Sequence, residues 1–207
     1  EKKIEEALHA IASAKKPIFY VGGGCINSGS STSELLLKFI RLTGFPVTMT
    51  LMGLGAFPAG DKQSLGMLGM HGMYESNLAM HDCDVMINLG ARFDDRVTGR
   101  LDAFSPNSIK IHIDIDSSSI NKNVKVDIPI IGDMETVLKQ MLKIWKNKNL
   151  SVNKISIDDW WKKIEKWKEI DCLKYTLSDE IIKPQYAIER LYELTRDRDT
   201  IITTEVG

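Results

Sequence analysis

KPIFYVGGG, residues 16–24, is a short apolar run that stops at three consecutive glycines. The run is long enough for a strand, and the glycines punctuate its end. SSTSELLLKFIRLTG, residues 30–44, follows with apolar side chains at helical spacing. Ser31 and Glu34 stand at the spacing of a capping box, and Gly44 marks the stop. FPVTMTLMG, residues 45–53, gives the next strand. Strand, glycine turn, helix, strand is a βαβ unit, whose crossover returns the chain to its starting edge and makes the two strands parallel. This stretch predicts an α/β fold: a parallel sheet flanked by helices.

The pattern extends in both directions. Ile4, Leu8 and Ile11 predict an amphipathic helix over residues 2–15. LGAFPAGDKQSLGMLGMHG, residues 54–72, is a glycine-rich connection too long for a simple structural loop. A helix is expected over 74–81, strands in DVMINLGARF (84–93), SIKIHIDID (108–116) and VDIPIIGD (126–133), and a closing helix over 134–147. The polar stretch KNKNLSVNK, residues 146–154, sets a domain boundary near residue 150. DDWWKKIEKWKEID (158–171) reads as a helix whose tryptophans are expected to pack against a neighbouring domain. PQYAIERLYELT (184–195) reads as a helix opened by Pro184. DTIITTEVG (199–207) reads as a buried strand running into a phosphate-binding turn. The expected organisation is one domain over 1–150, a helical linker over 151–183, and the start of a second α/β domain over 184–207.

Composition narrows the class. With 43% hydrophobic and 27% charged residues, the 207-residue chain should fold rather than stay disordered. A net charge of -1 argues against a nucleic-acid binder. No apolar run approaches the ~20 residues that span a bilayer, so no membrane partner is expected. The charged start EKKIEEALHA lacks the apolar segment of a secretory signal. Cys25, Cys83 and Cys172 lie far apart without CxxC spacing, which points to reduced thiols in the cytoplasm and no metal site.

Parallel sheets bind ligands at the carboxyl ends of their strands. Those ends carry Gly22, Gly23 and Gly24; Thr50, Leu51 and Met52; Gly90, Ala91 and Arg92; and Asp114 and Asp116. Glycines let phosphates approach backbone amides. An arginine offers a fork of donors to a pyrophosphate, and an acid can accept from ribose hydroxyls. The set fits an adenine dinucleotide. Arg92, Asp94, Asp95 and Arg96 crowd four charges into five residues: either a solvated ion-pair turn or an anion site. His112, Asp114 and Asp116 share one strand face, which binds a ligand or is simply solvated. Cys25 is read as packing.

KPIFYVGGGCINS, TLMGLGAFP, MLGMHG, GARFDDRVTG, HIDID and PQYAI, in this order, resemble the large catalytic subunit of acetohydroxyacid (acetolactate) synthases, a family of thiamine-diphosphate enzymes. The resemblance covers essentially the whole chain, and GARFDDRVTG is its most specific motif. NSGSSTSEL, residues 27–35, departs from it by its length. The family has three α/β domains, and this chain resembles the Rossmann-like middle one, which binds FAD, with its trailing linker and the start of the diphosphate-binding domain. The resemblance implies that Gly23, Gly24, Thr50, Leu51, Met52, His71 and Gly72 lie beside the FAD. Gly90, Ala91, Arg92, Asp94 and Arg96 would contact the flavin nucleotide, with Arg92 near its phosphates. Asp114, Ile115 and Asp133 would hold the adenosine side. Met70, Asp95 and Arg96 would border the substrate channel, and Val206 and Gly207 would begin the segment that binds the thiamine cofactor's diphosphate.

The implied parent activity condenses two pyruvates, or pyruvate with 2-ketobutyrate, on thiamine diphosphate and Mg²⁺ with loss of CO₂, and opens branched-chain amino-acid synthesis. FAD does no net redox chemistry in that cycle. The activating glutamate would precede Glu1 and the metal ligands would follow Gly207, so no catalytic residue is expected in this chain, and alone it should be inactive. Implied partners are further copies of the same chain and a small regulatory subunit. The alternative is an FAD- or ADP-binding, or subunit-interaction, module of another thiamine-diphosphate enzyme.

Overall fold

The computed structural model describes residues 1–203, divided into a unit over Glu1–Ile170 and a second over Asp171–Gly207. The first unit contains, in chain order, α1 (Lys2–Ser13), β1 (Pro17–Val21), α2 (Gly24–Asn27), α3 (Ser30–Thr43), β2 (Val47–Met49), β3 (Ser64–Met67), α4 (Tyr74–Asp82) and β4 (Val85–Leu89). It continues with α5 (Asp95–Thr98), β5 (Ile109–Asp114), β6 (Ile128–Ile131), α6 (Met134–Asn147) and α7 (Lys154–Lys168). The six strands form one all-parallel sheet in the order β3-β2-β1-β4-β5-β6. The chain builds outward from β1 to β3, then returns to lay β4 on the other side of β1. The reversal opens a crevice at the carboxyl ends of β1 and β4.

Both faces of the sheet are covered, and β1 and β4 are buried along their whole length. That is why these strands read as unbroken apolar runs rather than alternating ones. Phe19, Val21, Ile87, Leu89, Ile111 and Ile113 face a core with Leu8 and Ile11 of α1, Phe39 and Ile40 of α3, and Leu138 and Met141 of α6. Ile18, Tyr20 and Met86 face a second core with Ala79 and Met80 of α4 and Trp160 and Ile164 of α7.

Four expectations are modified. The tryptophans of α7 pack on this same sheet: the Trp160 indole N–H donates to the Pro17 carbonyl at 3.0 Å, and that of Trp161 to the Gly44 carbonyl at 2.8 Å. The polar residues near 150 form only the turn between α6 and α7, and the compact unit runs on to Ile170. The Ser31–Glu34 capping box does not form, because the helix cap falls two residues earlier, at Gly29 with φ 109°, and Ser31 is already inside α3. The long connection holds a strand, β3, on the sheet edge; its sequence, SLGM, has neither β-branched residues nor apolar alternation to announce it.

In the second unit, α8 (Pro184–Thr195) begins at Pro184 as expected. Residues 199–203 form no strand. The rest of that expected strand, with Val206 and Gly207, lies outside the described residues. Among the described residues, no helix is long and apolar enough to cross a membrane.

Candidate functional site

The sheet ladder continues one step beyond the strands. Thr50 N–H donates to Val21, Gly22 N–H to Leu89, Gly90 N–H to Ile113, and Gly132 N–H to Asp114, at 2.9–3.0 Å. These bonds align the ends of β2, β1, β4, β5 and β6 along one edge. Thr50, Gly22, Gly90 and Asp114 therefore stand in a row across the crevice.

The glycines there make room for backbone. A Cβ on Gly24 would lie 2.8 Å from Gly90 Cα, and one on Gly53 would lie 2.4 Å from the Val21 carbonyl oxygen. Gly22 and Gly24 spend their amides on Leu89 and Gly90. Gly23 is half-exposed beside Met52, and its amide bonds to no described residue. Of the three glycines, Gly23 is thus the one able to offer an N–H to a ligand. Leu51 and Met52 sit on a short turn that Thr50 closes by accepting from the Gly53 amide; both are exposed.

GARFDDRVTG is pinned by its phenylalanine. Phe93 is buried between Tyr20, Phe104 and His112, with ring centroids 5.1–5.9 Å apart. Its carbonyl accepts from the Asn123 amide at 2.7 Å. With Phe93 inward, the four charges face outward: Arg92 pairs with Asp94 at 2.9 Å and Arg96 reaches toward Asp95 at 3.9 Å. The Arg92 side chain stays 70% exposed, so its pair adds little stability and leaves most of its donors open.

Residues 69–72 dock on α5. The Met70 amide donates to the Arg96 carbonyl at 2.9 Å, and Gly69, at φ 100°, lies so close to that carbonyl that no side chain fits. Asn77 clamps Gly69 through both its N–H and its C=O. Met70, Asp95 and Arg96 are thus brought together and exposed, with His71 exposed beside them.

On the far side, Asp114 is mostly buried, while Ile115 is exposed. Asp116 caps the following turn through Ser118, and Asp133 caps α6 through Thr136. The Thr136 amide, first among its bonds, holds the Asp133 carboxyl below the usual aspartate range. The face shared by His112 and Asp114 is not solvated: the imidazole is wholly buried. Cys25 packs in the core, where burial pushes its thiol up to about 12.

The family model described as thiamine pyrophosphate enzyme, central domain, matches residues 4–141. The chain belongs to that family. It is similar to the acetolactate synthase isozyme 3 large subunit of Escherichia coli (47% identical over 205 residues), the acetolactate synthase large subunit of Haemophilus influenzae (45% over 205) and the chloroplastic acetolactate synthase of Arabidopsis thaliana (42% over 207). These alignments cover 99–100% of this chain but only 30–35% of each relative. The chain spans about a third of the length of the curated relatives it matches.

The central domain has a layer that its sequence motifs do not announce. Thr48, Tyr20, Asn88 and His112 are paired neighbours on β2, β1, β4 and β5, all wholly buried on one face. The first three bond backbone nearby: Thr48 holds the edge strand β3, and Tyr20 and Asn88 tie down the loop after β4. The Thr48 hydroxyl donates to the Gly66 carbonyl, and the Tyr20 hydroxyl to the Arg92 carbonyl. The Asn88 amide brackets Ala91, donating to its carbonyl and accepting from its N–H. The signal was available in β1, β2 and β4: a single polar residue inside each of these apolar strands is expensive unless it is bonded.

The residues fit a dinucleotide. The crevice offers the Gly23 amide and the Arg92 guanidinium for phosphates, Asp114 for ribose, and exposed Leu51, Met52, Met70 and Ile115 for flat rings. A groove of about 1550 Å³ lies instead at the amino end of the sheet, between Arg41–Gly44, Gly60–Gln63 and α7. None of the candidate residues lines it.

Proposed function

We propose that this chain is the FAD-binding middle part of an acetolactate synthase. The observation that carries the reading is the row at the β1/β4 reversal, where Gly23, Arg92 and Asp114 stand at adjacent strand ends. In this reading Arg92 and Gly23 hold the pyrophosphate, with Gly24, Gly90, Ala91 and Asp94 shaping that wall. Asp114 accepts from the ribose, with Ile115 and Asp133 bordering the adenosine. Thr50, Leu51, Met52, His71 and Gly72 line the flavin side, and Met70, Asp95 and Arg96 border the approach of the ketoacid. Bound there, the flavin supplies a rigid wall and no net electron transfer.

The parent activity condenses two pyruvates, or pyruvate with 2-ketobutyrate, to an acetohydroxyacid with release of CO₂, using thiamine diphosphate and Mg²⁺ in the cytoplasm, in assemblies with further copies and a small regulatory subunit. In this reading residues 1–150 carry the nucleotide-binding strand ends, 151–183 are the link, whose helix α7 packs on the same unit, and 184–207 open the diphosphate-binding domain with Val206 and Gly207. The likeness to acetolactate synthases along the whole chain supports this.

The test compares the 207-residue chain with the complete polypeptide that carries it, each given pyruvate, thiamine diphosphate, Mg²⁺ and FAD. Acetolactate is expected from the complete polypeptide only. A complete polypeptide that binds FAD but makes no acetolactate would overturn the activity. Acetolactate from the 207-residue chain would overturn the division of labour.

A further inference from the structure

Among the described residues, three buried side-chain polar atoms have no hydrogen-bond partner, and two of them are the ring nitrogens of His112. The imidazole is wholly buried under the strand-end row. The Ala91 carbonyl and the Asp114 carboxylate both lie near enough to favour a proton on the ring, yet neither meets hydrogen-bond geometry with it. Asn88, paired beside it on β4, spends both ends of its amide on Ala91. Pro129, paired beside it on β6, has no N–H. Phe93 presents a ring edge-on at 5.1 Å. The acidic group facing it is Asp114, two residues along the same strand face, with Nε2 and Oδ2 3.6 Å apart.

We infer that His112 is a positioning residue, whose Nε2–H fixes the Asp114 carboxylate so that one lone pair faces outward to a ribose hydroxyl; this rests on the nucleotide reading above. Asp114 is already held on one side, where Oδ1 accepts from the Asp116 amide at 2.9 Å. A small turn of the carboxylate brings Oδ2 from 3.6 Å into hydrogen-bond range of Nε2. Both oxygens are then anchored, and the remaining acceptor direction points out of the strand end, where Asp114 keeps its small exposure. Burial, working against the charge of Asp114 and the nearby Ala91 carbonyl, keeps the imidazole below its usual range; a neutral ring has one N–H to give, and Asp114, as the charged acceptor, is the stronger claimant to it. A histidine that only filled space would gain nothing from nitrogens that an aromatic ring lacks.

The test is calorimetric binding of ADP and of 2′,3′-dideoxy-ADP to the complete polypeptide stripped of flavin. The wild type should prefer ADP. His112→Phe and His112→Asn should lose about tenfold in ADP affinity, the worth of one bond to a charged group, while dideoxy-ADP affinity holds. His112→Gln places its amide N–H near the Nε2 position and should restore the preference. The ratio of the two ligands within one variant separates positioning from a general loss of fold. Equal weakening of both ligands, or a preference unchanged in His112→Phe, would overturn the inference. A wild type that binds neither ADP nor FAD would overturn the nucleotide reading itself.

Discussion

Gly22 and Gly90 meet backbone to backbone: a Cβ on Gly22 would stand 2.3 Å from the Gly90 carbonyl oxygen. That oxygen also accepts from the Gly24 amide at 3.0 Å. The floor of the crevice is therefore two main chains in contact, with the turns after β1 and β4 bonded to each other.

Gly90→Ala should be strongly destabilising. Its φ of 64° costs an L-residue about 1–2 kcal/mol, and its Cβ would press on Gly24 Cα, adding about 1–3 kcal/mol of overpacking. Gly44→Ala shares the positive φ but meets nothing within 4 Å, so it should lose only the backbone part. Urea denaturation of both variants checks the difference; equal losses would mean the close approach costs nothing.

Phe93→Ala removes the plug that holds GARFDDRVTG down. A buried phenylalanine truncated to alanine costs about 3–5 kcal/mol. Amide exchange should show residues 90–98 losing protection before the strands do. Protection in the loop equal to wild type would put its anchor elsewhere, at Asn88 or Asn123.

Arg92→Ala in the complete polypeptide should weaken FAD binding by about 1.5–3 kcal/mol, the worth of a charge-assisted bond to phosphate. Its stability should change little, since its pair with Asp94 is exposed. Asp95→Glu should leave FAD affinity near normal and alter ketoacid kinetics, because Asp95 projects beside Met70 and Arg96. Flavin fluorescence titrations read both; normal affinity in Arg92→Ala reduces the four charges to an ion-paired turn.

Asp82 lies between Lys16, at 3.2 Å, and Lys163 of α7, at 2.6 Å. Burial alone would raise its pKa, but the bonds from the two lysines outweigh this and hold the carboxyl below its usual range. With the folded pKa the lower, the stabilisation is complete above the unfolded aspartate value, about 3.9, and is lost as pH falls through the folded value. Asp82→Asn should cost a few tenths to about 1 kcal/mol at neutral pH and nothing in stronger acid. A difference that persists unchanged to pH 2 would assign the loss to packing.

A chain ending at residue 150 should melt below one ending at residue 170. Removing α7 uncovers the seats of Ile157, Trp160 and Ile164, each worth about 1.5–3 kcal/mol when fully buried. Equal melting temperatures would make α7 an accessory to the sheet rather than part of its core.

Much of this was legible in the chain. The unbroken apolar runs of β1 and β4 require cover on both faces, and the helical spacing between them requires parallel crossovers, so fold class followed from local pattern. The candidate edge followed too, because a strand that ends in glycine or arginine does so wherever the strand lies in the sheet. What stayed hidden was set by pairing across distance. β3 is a strand because β2 offers it an open edge, not because SLGM prefers to be extended. Ser31 and Glu34 match a capping box, yet the sharp entry at Gly29 starts the helix two residues early.

By itself, the sequence determined which segments are strands buried on both faces, which turns carry glycine, and that the charges of GARFDDRVTG follow a core strand; each depends on side chains a few positions apart. Only the tertiary structure decided the strand order, the reversal between β1 and β4, and the alignment of Thr48, Tyr20, Asn88 and His112 into one buried row. Those four residues are up to 92 positions apart in the chain, and no local propensity relates them. Parallel register brings them side by side, and the cost of burying unbonded polar groups then sends the Thr48 hydroxyl to β3 and the Tyr20 hydroxyl and Asn88 amide to the loop after β4.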